Sequence, residues 1–162
     1  METPQEQLDK WFLRPLEQIR DVSSGNSFFI ELLTACVLYE RHTKARLARQ
    51  DRPGTTNNVT ALIQSDFDAT PEAADAFWQI IRAGLAHQAM PAQKSRGKSS
   101  LPGWFFHDSY PNRTPIRLEE VDGEWVLKVQ PRVFVDRVIQ LWRESPELIA
   151  ESQSFPWPRD DE

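Results

Sequence analysis

The sequence of 162 residues has one cysteine, Cys36, so no disulfide can close within it. A lone thiol fits a reducing compartment. Glycine is sparse and never clusters, which excludes a glycine-rich phosphate-cradling loop. The three histidines, His42, His87 and His107, stand at no metal-ligand spacing from one another or from Cys36. Neither a metal nor any other cofactor is therefore expected. Cys36 lies in the most apolar run, away from any histidine that could activate it, and reads as a core residue. There is no long hydrophobic run. The most apolar stretch, Phe28 to Tyr39, is interrupted by Glu31 and is too short to span a bilayer. Met1 to Lys10 is polar and lacks the basic start and apolar run of a signal peptide. These absences predict a cytoplasmic protein with no membrane partner. Internal repeats and coiled-coil heptads are also missing.

Hydrophobic residues make up 40% and charged residues 27% of the chain, the balance of a globular domain that can bury a core without staples. The net charge of -5 argues against a general nucleic-acid coat protein, yet it allows a local basic patch.

Leu8, Trp11, Phe12, Leu16 and Ile19 recur at helical spacing over Gln5 to Val22, where Pro15 should kink the helix or divide it. After a turn at residues 23–27, Phe28 to Arg49 reads as the central helix. It is apolar nearly all round at first and basic in its second half. Pro53-Gly54 marks a loop. Val59, Leu62, Ile63 and Phe67 make a short amphipathic helix. Thr70-Pro71 starts the next one, since threonine caps and proline suits the first helical position. Ala74, Phe77, Ile81 and Gly84 or Leu85 share its apolar face, and Pro91 ends it. Asp122-Gly123 between two β-rich runs predicts a hairpin. In it Ile116 and Leu118 lie on the face of Trp125, Leu127 and Val129. Pro131 opens a closing helix with Phe134, Val138, Leu141 and Trp142 inward, and Ser145-Pro146 starts one more turn. The predicted fold is mostly α, a helical bundle-like single domain over residues 1–150 with one C-terminal β-hairpin. Residues 151–162 form a proline-rich acidic tail, expected to fray.

Two basic groups stand out. Arg41, Lys44, Arg46, Arg49 and Arg52 crowd the end of the central helix with Asp51 as their acidic company. Lys94, Arg96 and Lys98 occupy a polar segment after Pro91. Both could grip a phosphate backbone, and both also suit a solvated surface. Trp104-Phe105-Phe106 is either a plug on the core or a platform for stacking bases.

The helix that starts at Thr70 carries Arg82-Ala83-Gly84-Leu85-Ala86-His87, followed by Gln88. This segment resembles the HEPN superfamily, whose signature is an arginine and a histidine a few residues apart on one helix of an all-α domain. The resemblance covers roughly residues 28–91 and implies an RNA-binding homodimer, with Arg82 and His87 as catalytic residues of a metal-independent endoribonuclease. Arg41, Lys44, Arg46, Arg49, Lys94, Arg96 and Lys98 would then hold the RNA. Ala83 stands where that family often has a polar residue.

The chemistry is coherent. A histidine titrates near neutral pH and can move the 2′-hydroxyl proton, while an arginine fork steadies the charged phosphorane. Five residues of α-helix set Arg82 and His87 about 140° apart. A two-fold axis beside the helix would let two such pairs converge, and Gly84 would allow close approach. The rival expectation is a non-catalytic domain that binds an unidentified protein partner, with Arg82 and His87 structural.

Overall fold

The computed structural model describes residues 3–21, 28–88, 103–106 and 114–151, without the side chains of residues 86–88, 105, 150 and 151. The chain is mostly helical. The first helix begins with α1 (Pro4–Leu8), capped by Thr3 and Glu6 in a reciprocal box. It passes through a π-helical turn at Asp9–Leu13 and continues as α2 (Arg14–Asp21). A proline ring in an α-helix collides with the carbonyl four residues back and lacks its own N–H donor. The widened turn ends two residues before Pro15 and opens the ladder there, so the helix runs on instead of dividing.

α3 (Phe28–Arg49) has the bounds its composition predicts. It is central because α2, α4, α6, α7 and α8 all pack on it. α4 spans Thr56–Phe67, and α5 (Pro71–Phe77) starts with Thr70 accepting from the Ala73 N–H. A second π turn, Trp78–Arg82, joins α5 to α6 (Ala83–Gln88). α7 (Pro131–Glu144) and the short α8 (Leu148–Glu151) close the fold.

A small sheet lies to one side. β2 (Ile116–Val121) and β3 (Glu124–Val129) form the expected hairpin. Asp122 and Gly123 have φ of 53° and 81°, the doubly left-handed pair that a tight two-residue turn demands. Ile116 pairs with Val129 and Leu118 with Leu127, so the apolar face matches the alternation. β1 (Gly103–Phe106) adds in parallel to β3, giving the order β1-β3-β2. This strand was absent from the sequence expectation. Its Trp104 and Phe106 pack against the core margin beside Phe28 and Phe29, which answers to the plug rather than a free platform.

The core joins α3, α4, α5 and α7 through aromatic rings. Phe134 stacks on Phe67 at 4.7 Å between centroids and meets Phe77 at 5.0 Å and Tyr39 at 5.9 Å. Trp142 is buried, and its indole Nε1 donates to the Leu38 carbonyl at 3.1 Å. Removing such a ring from a packed core costs about 3–5 kcal/mol. Among the described residues, no helix is long and apolar enough to cross a membrane.

Candidate functional site

The side chain at the centre of the site is Arg82. It is the last residue of the π turn, where the Ala83 N–H reaches back five residues to the Trp78 carbonyl. π turns inside α-helices are enriched at functional sites because they displace a side chain from the regular helical face. Here the guanidinium lies over the Trp78 ring, 4.9 Å from its centroid. On α3, Glu40 receives it twice. Nε donates to Oε2 at 2.8 Å, and Nη2 reaches the same oxygen. Lys44, one turn along α3, sits 2.8 Å from the other oxygen of Glu40.

The two side chains of the main pair are 22% and 17% exposed, so this is a half-wet site at the seam of α3 with the helix of residues 71–88. Burial pushes the Glu40 carboxyl up, but hydrogen bonds from Arg82 and Lys44 outweigh it and hold the group below the usual carboxylate range. The net arrangement is two cations sharing one anion, with the arginine plane fixed by a ring and a carboxylate. A pre-oriented guanidinium of this kind can hold an anionic ligand with little further ordering.

Cys36 lies one turn below Glu40 and is buried. Burial pushes its thiol far above the ordinary range, so it is a core residue and no nucleophile. α6 carries His87 five residues after Arg82, and its side chain lies outside the described residues, as do Lys94, Arg96 and Lys98.

The remaining basic residues of α3 separate. Arg46 turns inward to α4, where one nitrogen sits 2.8 and 3.1 Å from the two oxygens of Asp66. Tyr39 donates to the same carboxylate at 2.9 Å. Arg49 pairs with Glu147 in the turn before α8 at 3.3 Å. Arg52 donates to Asn58 at 2.8 Å. Arg41 is half-buried, and desolvation lowers its pKa. The acidic company of this cluster is thus Glu40, one turn before Lys44 on the same helix, with Asp66 and Glu147 brought in by folding. Lys44 shares Glu40 with Arg82.

Sequence reasoning passed over Glu40. The signal available was its place one helical turn before Lys44, at the end of the apolar run. The partner Arg82 is 42 residues away, a distance that no local pattern spans. Among the described residues no cluster of three or more His, Cys, Asp or Glu side chains could hold a metal ion. Comparison of the chain with family models, curated proteins and solved structures finds no match to any of them.

Proposed function

We propose that the chain is a HEPN-like RNA-binding protein that cleaves RNA without metal, using Arg82 and His87 at the cleft of a homodimer. The observation that carries this reading is the state of Arg82. A π turn, an aromatic ring and a carboxylate together fix its guanidinium at a half-exposed seam, with Lys44 beside it. A surface arginine with no role keeps its rotamer freedom, and this one has surrendered it.

In the proposed reaction His87 takes the proton of a ribose 2′-hydroxyl. The 2′-oxygen bonds to phosphorus, the bond from phosphorus to the 5′-oxygen breaks, and the leaving oxygen takes a proton returned from the protonated histidine through water. Arg82 and Lys44 stabilise the charge that builds on the non-bridging oxygens. The products are a 2′,3′-cyclic phosphate and a 5′-hydroxyl, and DNA is inert because it lacks the nucleophile. Arg41 and the Lys94, Arg96 and Lys98 segment would track the backbone beyond the cut. Arg46 and Arg49 are engaged by Asp66 and Glu147 and would contribute less.

The test is cleavage of single-stranded RNA in EDTA. His87→Ala should lose about a hundredfold to ten-thousandfold in rate, with the melting temperature unchanged. Activity that survives in His87→Ala refutes the assignment.

A second reading has its own support. Arg82 already has Glu40 as a partner, and α3 leaves Ile30 and Val37 on one face more than half exposed. A non-catalytic domain that binds a protein along α3 accounts for both. A wild-type chain that leaves RNA intact and is monomeric by light scattering favours it.

A further inference from the structure

Helix α3 carries a second polar residue with no part in the reading above. His42 is 1% exposed, and neither ring nitrogen has a hydrogen-bond partner among the described residues. Its ring meets Trp142 of α7 edge to face, at 5.1 Å and 81°. Buried imidazoles normally satisfy at least one nitrogen, because an orphaned polar atom in a dry site costs free energy. A neutral ring bears that cost. A protonated ring has two N–H donors and a full charge to satisfy in the same place, which is far worse.

The groups facing His42 do not relieve the charge. From α4 comes Asp66, already held by Arg46 and Tyr39. From the turn into α8 comes Glu147, paired with Arg49. From α3 itself comes the cation Arg46, which opposes protonation. α7 presents the Leu141 carbonyl, which favours the cation, and the Trp142 indole, whose ring gives the imidazole no anion. Burial is the largest influence and lowers the proton affinity of the ring.

The cover over His42 comes from the end of α7, which leads directly into α8. Over its described residues α8 buries Leu148 and Ile149 against α3 and α1. Trp142 lies in the last turn of α7. We infer that His42 is an acid latch: proton uptake at this ring releases the end of α7 and α8 from α3.

The sign follows from linkage. His42 binds its proton more tightly in the opened state than in the closed one. Closure is therefore strongest above the ordinary histidine range, about pH 6.5, and weakens as pH falls below it. One proton taken up on opening raises the opening constant by up to about tenfold per pH unit.

Amide hydrogen exchange on the full chain, corrected for intrinsic rates, tests this between about pH 7.5 and 5.5. Amides of residues 139–149 should lose protection about tenfold per pH unit below pH 6.5, while those of α4 keep theirs. His42→Phe, which retains a ring against Trp142, should show no such slope. An equal slope in His42→Phe overturns the latch, and so does simultaneous loss of protection across the fold. If His42→Phe does not fold, the wild-type His42 Cε1–H resonance decides. A neutral-form shift kept below pH 6 while the protein is closed supports the latch, and ordinary titration in the closed protein overturns it.

Discussion

The two sides of α3 treat charge in opposite ways. On the side facing residues 71–88, Glu40 meets Arg82 and Lys44 at a seam that water reaches. On the side facing α4, α7 and α8, Asp66 meets Arg46 and Tyr39, and its side chain is 5% exposed. Near that second cluster the buried His42 ring packs against Trp142, with neither nitrogen hydrogen-bonded to a side chain among the described residues. The inner cluster ties α4 to α3, and because the Asp66 carboxylate is buried while Arg46 is 30% exposed, losing Arg46 strands a buried anion. The outer cluster is wet enough to exchange one anion for another. Burial, more than the kinds of residue present, separates a charge pair that holds a fold from one that can serve a ligand.

Four substitutions probe this contrast, beginning with the largest effect. Trp142→Ala should cost about 3–5 kcal/mol in urea unfolding, because it empties the wall between α7 and α3 and removes the donor to Leu38. Asp66→Ala should cost about 1–3 kcal/mol, since it leaves the buried Tyr39 hydroxyl without its acceptor and Arg46 without its pair. A loss below about 1 kcal/mol would mean the inner cluster is no tighter than a surface pair.

Glu40→Gln should change stability by about 1 kcal/mol or less at neutral pH. Its pH signature is more telling. Arg82 and Lys44 hold the Glu40 carboxyl low, so the pair contributes fully above the ordinary glutamate range of about pH 4.3. That contribution fades as pH falls through the depressed folded value, and Glu40→Gln should lack this part of the acid slope. The same variant should bind a short RNA at least as tightly as wild type, because two cations lose the anion between them. Cys36→Ala should be nearly silent on RNA, and in the wild type a thiol reagent should modify Cys36 only on unfolding.

Much of this was legible before folding. Phe28 and Arg49 bound α3 because the apolar run begins at Phe28 and the basic run ends in a turn. Thr70-Pro71 and Asp122-Gly123 announce a helix start and a hairpin through fixed backbone preferences. β1 was hidden, because Gly103 to Phe106 has no alternation and its parallel partner lies beyond a stretch of intervening chain. The π turns were hidden too. In the second, apolar pairs repeat every four residues, at Ala76-Phe77, Ile80-Ile81 and Gly84-Leu85, slower than an α-helix turns. That period was the available sign. Glu40 and His42 sit in a basic, featureless-looking stretch, and only tertiary packing tells one to the wet side and the other to the dry.

The outer cluster stands as a nuclease site on one comparison above all, the rate of RNA cleavage by Arg82→Ala and by Arg82→Lys in the presence of EDTA. Arg82→Lys keeps the charge but loses the planar fork, so both variants should fall by about a hundredfold or more, with stability within about 1 kcal/mol of wild type. Wild-type rates in both variants, or no cleavage by the wild type of any single-stranded RNA at high concentration, would contradict the assignment and leave Arg82 as a structural partner of Glu40.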